Sequence, residues 1–204
     1  MGIFELPNMM NPDGTMGNIL VAFAGITISM AAGFVLTLLV YRDKKEAVPV
    51  KAASGNIVVA SPLKGKVLDL SEVKDEAFSS GVLGKGAAIE PEEGVLYAPV
   101  DGTISAFFPT GHAVGITMDT GLELLIHVGM DTVQLNGKGF QPLAAAGDSV
   151  KRGQKLLEFD MKLIREAGYS LVTPVLVTNP DDFAQVEPSG ESRVQAGDTL
   201  LTVL

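Results

Sequence analysis

The sequence predicts a mostly β domain, an antiparallel β-sandwich or barrel-sandwich with short helices, preceded by one transmembrane helix. Three observations carry this reading. From Asn56 onward, short apolar runs are broken every few residues by Gly, Pro or Asp, the pattern of strands joined by turns. Within that stretch two motifs each occur twice: small-Pro-x-x-Gly-x-aliphatic at 61–67 and 98–104, and V-x-x-G-x-x-L-L at 150–157 and 194–201. Ahead of it, residues 16–41 run for 26 positions without a charged side chain.

Composition narrows the function. At 204 residues the chain fits one substantial domain and an appendage. A formal net charge of −9 argues against a nucleic-acid partner. With no cysteine there is no disulfide scaffold, no thiol catalysis and no cysteine-ligated zinc.

Taken in order, residues 1–15 contain Pro7, Pro12 and Gly14 and read as a loop. At about 1.5 Å per residue, a helix over 16–41 is long enough for a hydrocarbon core of about 30 Å. Its small residues (Ala22, Ala24, Gly25, Ser29, Ala31, Ala32, Gly33) suit packing against other membrane helices. A signal peptide would want a basic start, and the first 40 residues hold no Lys or Arg. Arg42, Lys44 and Lys45 follow the apolar run, whereas only Glu5 and Asp13 precede it, so the positive-inside rule puts the C-terminal side in the cytoplasm. Residues 42–55 are charged, then small and Pro-containing, and read as a flexible linker. Residues 56–204 form the β domain. Short helices are predicted over 70–78 and 161–167, and a turn or short helix over 142–146.

The candidate chemistry lies in 121–133, G-L-E-L-L-I-H-V-G-M-D-T-V. Its centre is too short and too apolar for a surface helix and reads as a buried strand between Gly121 and Gly129. That strand holds His127, and the only other histidine is His112, in T-G-H-A-V-G-I-T-M. Asp119-Thr120-Gly121 between them is a turn signal. A hairpin with an even-length loop centred on 119–120 would set His112 directly opposite His127, with Cα atoms roughly 4.5–5.5 Å apart. A three-residue loop with a bulge at Gly121 would shift that register by one. Two imidazoles in contact repel when both are charged, so an ordinary core gains little from them. A phosphoryl-carrying site does gain: one neutral ring nitrogen attacks phosphorus, its other nitrogen is held by a carbonyl, and the second imidazole donates to the phosphoryl oxygens. Gly129 would let a partner approach closely.

The run L-I-H-V-G-M-D-T-V resembles the active-site signature of the glucose-type IIA domain of the bacterial phosphotransferase system. Further matches in the family's order are A-P-V-D-G-T-I at 98–104, T-G-H at 110–112, G-F at 139–140, L-E-F-D at 157–160 and T-P-V at 173–175. The resemblance implies a glucose-permease-IIA-like sandwich and no metal or cofactor. It implies that His127 carries the phosphoryl group on Nε2, that His112 stabilises it, and that Thr110 bonds to His112. Asp131 and Asp160 match acidic residues near the site, and Phe78 and Phe108 match apolar rim positions that dock partners. The family often has Asn where this chain has Gly111, a change expected to leave the chemistry intact. The implied partners are HPr as donor, a IIB domain as acceptor and a IIC permease. Residues 16–41 resemble the last helix of a β-glucoside-type IIC domain, which the IIA domain follows directly. In that order the chain would be the tail of a split or truncated permease, working with a separate IIC.

Other readings compete. His127 and Asp131 also form H-x-x-x-D, a zinc-ligand pair in some peptidases of related β architecture, but catalytic zinc usually takes three protein ligands and no third histidine exists. Met161-Lys162 resembles the modified pair of biotinyl or lipoyl carriers, but Lys162 opens a predicted helix instead of standing on a hairpin tip. A membrane-tethered regulatory domain that no longer transfers phosphate would have less use for both histidines and both aspartates. Asp131 could cap the turn before Thr132-Val133, and Asp160 could N-cap the helix after it.

Overall fold

In the computed structural model, residues 55–204 are described. The predicted loop over 1–15, the membrane helix over 16–41 and all but the last residue of the linker lie outside them. Among the described residues, no helix is long and apolar enough to cross a membrane.

From residue 55 on, apolar pairs and triplets alternate with turns, and the described residues form fourteen short strands. They are β1 (Ile57–Ala60), β2 (Gly65–Leu68), β3 (Lys85–Pro91), β4 (Val95–Tyr97), β5 (Gly102–Phe107), β6 (Ala113–Thr117) and β7 (Glu123–His127). There follow β8 (Phe140–Pro142), β9 (Ser149–Val150), β10 (Lys155–Phe159), β11 (Thr173–Val177), β12 (Val186–Pro188), β13 (Arg193–Val194) and β14 (Thr199–Val203). Every strand pairing among the described residues is antiparallel. An eight-stranded sheet runs β13-β2-β3-β11-β7-β6-β5-β9, and two three-stranded sheets run β1-β14-β12 and β4-β10-β8.

The sequence repeats become a pseudo-twofold. Read outward from the β11–β7 neighbours, β3, β2 and β13 on one side answer to β6, β5 and β9 on the other. The repeats pair crosswise: Gly65 faces Val194, and Gly102 faces Val150. Ser61 donates its N–H to Asp198 O and accepts from Gly197 N, while Ala98 donates to Gln154 O and accepts from Gly153 N. Ala60 N–H donates to Pro99 O at 3.0 Å and Tyr97 N–H to Pro62 O at 2.9 Å, so each half returns the other's bond.

Alternation along the strands separates two cores. Val175 and Val177 of β11, and Ala87 and Ile89 of β3, join the main core with Leu124 and Ile126 of β7. Leu176 and Ala88 point the other way, into a small cluster with Leu70, Val73, Phe78 and Met130. Fully burying each such Leu, Ile or Phe stabilises the fold by roughly 1.5–3 kcal/mol. Leu125 packs against the small cluster, so His127, two residues on, lies on that same outer face.

The predicted helix over 70–78 is divided. A 3₁₀ turn spans Leu70–Glu72, and α1 spans Glu76–Ser79. Val73 and Asp75 are extended, and the Asp69 and Asp75 carboxylates each accept an N–H two residues on, so the aspartates start two short elements instead of sustaining one. α2 spans Met161–Glu166, close to prediction. Residues 142–146 are not helical: Pro142 ends β8, and Ala145 and Asp148 close a turn with bonds in both directions.

Candidate functional site

The β6–β7 hairpin brings the two histidines together, in a register one residue from the even-loop expectation. Ala113, not His112, pairs with His127. Gly121 has φ +84°, Met118 N–H donates to Leu122 O, and Gly121 N–H donates to Met118 O. The loop therefore has three residues, and Gly121 takes the left-handed conformation that such loops require. His112 lies just ahead of β6, where the chain bends after Gly111, and its carbonyl accepts from Val128 N–H at 2.7 Å. The rings still meet, with centroids 4.8 Å apart at 74°. Gly111 itself has φ +73°, a conformation that Asn also tolerates, so glycine in place of asparagine keeps this bend.

Hydrogen bonding decides which nitrogen of His127 is free. Its Nδ1 lies 2.7 Å from the Gly129 carbonyl oxygen. A carbonyl only accepts, so Nδ1 carries the proton in the neutral ring and Nε2 keeps its lone pair. On His112, Nδ1 lies 2.5 Å from Thr110 Oγ1. When the Thr110 hydroxyl donates, His112 Nε2 carries the proton and becomes a donor. His112 is buried, whereas His127 is partly exposed and open to a reacting group.

A ring stands on either side of the pair. Phe78 packs on His127 with centroids 5.3 Å apart, and Phe108 packs on His112 at 5.4 Å. Phe78 is buried in the outer cluster and Phe108 is half-buried, so both serve as packing partners of the imidazoles. Burial pushes the His112 pKa down to about 3, helped by the neighbouring His127. Burial lowers His127 as well, opposed by the Gly129 carbonyl and by the carboxylates of Asp75 and Asp131. Both imidazoles are therefore neutral near pH 7.

Asp131 is exposed and sits at φ 58°, ahead of a 3₁₀ turn over Thr132–Leu135 that the sequence reading missed. Its side chain makes no capping bond, so the capping role is absent and its charge beside His127 remains. Asp75 was also missed: it is remote in sequence and is brought to His127 by the 69–84 segment. No local signal in the sequence marks that nearness; the D-E-A-F run marks only the N-cap at Asp75. Asp160 accepts from Lys162 N–H and Leu163 N–H, both at 3.0 Å, and so N-caps α2. It is not one of the carboxylates that bear on His127. Lys162 is on α2 near Glu166, exposed, and not on a hairpin tip.

Gly129 is buried at φ +76°, and a Cβ there would lie 2.5 Å from Thr132 Cγ2 and 2.6 Å from Ser170 O. The protein's own interior requires this glycine, a reason different from the partner approach expected of it. Among the described residues no group of three His, Asp or Glu stands where it could hold a metal ion, so the His127–Asp131 pair lacks a third protein ligand.

Comparison with known proteins shows the family. Residues 57–183 match the family described as phosphoenolpyruvate-dependent sugar phosphotransferase system, EIIA 1. The chain is 54% identical over 143 residues to the PTS system beta-glucoside-specific EIIBCA component of Halalkalibacterium halodurans, covering 70% of this chain and 22% of that protein. It is 40% identical over 208 residues to the PTS system beta-glucoside-specific EIIBCA component of Dickeya chrysanthemi, covering 95% of this chain and 33% of that protein. The chain thus spans about a fifth to a third of the length of these curated relatives. Among solved structures, the glucose permease IIA from Mycoplasma capricolum superposes with a TM-score of 0.67 at 35% identity, covering 72% of this chain and 96% of that one. The chain belongs to the EIIA 1 family of the phosphoenolpyruvate-dependent sugar phosphotransferase system, as a phosphoryl-carrying EIIA component.

Proposed function

We propose that His127 Nε2 is the atom that carries the phosphoryl group, taking it from the phosphohistidine of HPr and passing it to a IIB domain during sugar uptake. One observation carries this reading: the bond from His127 Nδ1–H to the Gly129 carbonyl leaves Nε2 unprotonated on a partly exposed ring. In the transfer the donor's P–N bond breaks as the Nε2–P bond forms. The proton on Nδ1 stays against the Gly129 carbonyl, and the donor imidazole leaves with the electron pair of its broken bond. His112, accepting at Nδ1 from Thr110, donates from Nε2 to the phosphoryl oxygens. Both ends are N-phosphoryl groups of similar transfer potential, so positioning supplies the rate.

The partner surface follows from the same geometry. Asp75 and Asp131 would repel a phosphoryl group, so their use is to meet a basic residue of the partner beside His127. Phe78 and Phe108, packed on the two imidazoles, are the proposed apolar rim. Asp160 belongs to this surface only if a partner reaches as far as α2. Residues 16–41 are proposed as the last membrane helix of a IIC domain, a tether that the IIA domain follows directly and that keeps the carrier beside its partners. The match to the Dickeya protein over 95% of the chain supports that order. Sugar selectivity would then rest with IIC.

Incubating the full chain with phosphoenolpyruvate, enzyme I and HPr tests the proposal. Acid-labile phosphate should appear on the wild-type protein and be absent from His127→Gln, whose fold should persist because Gln is of similar length and keeps one hydrogen bond. Labelling of His127→Gln at the wild-type level would refute the assignment.

A further inference from the structure

The carbonyl that selects the free nitrogen of His127 belongs to a glycine, the residue whose backbone is least constrained. Something must hold it. Met130 N–H, the other end of the peptide that carries the Gly129 carbonyl, donates to Ser170 O at 3.0 Å. The preceding peptide is held as well: Thr132 Oγ1 donates to Val128 O at 2.6 Å. Thr132 is fully buried, and its methyl fills the space that a Cβ on Gly129 would need. Val128 in turn donates its N–H to the His112 carbonyl at 2.7 Å. One hydroxyl therefore anchors a residue that touches the backbone of one histidine and precedes the carbonyl that orients the other.

We propose that the Thr132 hydroxyl is a positioning group for phosphoryl transfer, fixing the Gly129 carbonyl and with it the Nδ1–H form of His127. The inference rests on His127 as the acceptor, but its direct readout does not require phosphoryl transfer. Without the hydroxyl, the 128–132 loop keeps its glycine and loses the tie at Val128. The carbonyl then wanders from Nδ1, the proton redistributes between the ring nitrogens, and a fraction of molecules presents a protonated Nε2 that cannot attack.

The test uses Thr132→Val, Thr132→Ser and Thr132→Ala in the full chain, with nitrogen-15 spectra of the histidine rings. The chain has only two histidines, so their ring nitrogens can be resolved. Wild type and Thr132→Ser should show neutral His127 as the Nδ1–H form. Thr132→Val and Thr132→Ala should show a mixture of the two forms, with phosphoryl acceptance roughly 3- to 10-fold slower, the scale of one lost hydrogen bond. A purely structural role predicts instead a lower melting temperature with the wild-type ring signature, and that result would overturn the proposal. If Thr132→Val does not fold, the Ser and Ala pair makes the same comparison, hydroxyl against none. A wild-type chain with the Nδ1–H signature that takes up no phosphoryl group would count against His127 as acceptor, while the spectra of the variants would still decide the role of Thr132.

Discussion

At the scale of residues, the site is a pair of imidazoles kept neutral by burial. Folding holds the His112 pKa near 3, against 6.5 for the free group, and shifts His127 in the same direction. Between those values the unfolded chain binds protons that the folded chain refuses. Stability therefore rises with pH across the window and is lost as pH falls below about 6.5, by up to about 1.4 kcal/mol per pH unit for His112, with His127 acting in the same direction. Urea melts of the full chain should show a midpoint that is level above about pH 7 and falls below about pH 6.5. His112→Gln should flatten that fall, and an unchanged slope in the variant would show that His112 is not a source of the linkage. The meeting of the two histidines was legible in the sequence from the turn between them. The register was not, because nothing in Asp119-Thr120-Gly121 says whether Gly121 joins the loop or the strand. Asp75 was illegible for a different reason: its nearness to His127 is created by tertiary packing of the 69–84 segment.

At the scale of elements, the 128–132 loop is closely constrained. Gly129 combines a left-handed backbone with two close neighbours, Thr132 Cγ2 and Ser170 O. Gly129→Ala should destabilise the fold by about 1–3 kcal/mol, seen as a lower urea midpoint, and should slow phosphoryl acceptance because the carbonyl moves with the loop. An alanine variant with wild-type stability and rate would mean that the loop has room that these distances deny. The short helices illustrate how far local signals reach. α2 matches the predicted 161–167 to within one residue, and Asp160 caps it. The sequence predicts one helix over 70–78, where Leu70, Val73, Ala77 and Phe78 are spaced for one. Asp75, inside the run, takes an extended backbone and starts a new turn, so capping chemistry overrode periodicity. The 3₁₀ turn at Thr132–Leu135 has no capping side-chain bond and no stripe, which is why it left no trace in the sequence.

At the scale of the whole molecule, two similar halves of the described residues pair crosswise, and one of them holds both histidines. The repeats themselves were legible as Gly-containing turn motifs, and they predicted the β class correctly. Their crosswise pairing, Gly65 with Val194 and Gly102 with Val150, was not, because strands distant in the chain choose partners by packing the shared core. The central pair of the large sheet is Val175 with Ile126. One step beyond it on each strand stand Leu176 and His127, equivalent positions on the same outer face. Leu176 is sealed under the outer cluster, whereas His127 stays partly exposed beside Phe78, Asp75 and Asp131. The fold thus supplies one equivalent position with an apolar cover and the other with access. The most direct test of the central claim is to phosphorylate the full chain through phosphoenolpyruvate, enzyme I and HPr, then locate the phosphorus by peptide mapping and by nitrogen-15 coupling to phosphorus. The predicted result is a single phosphoryl group on Nε2 of His127, with His112 unmodified. Phosphorus on His112, or on Nδ1 of His127, would contradict the account.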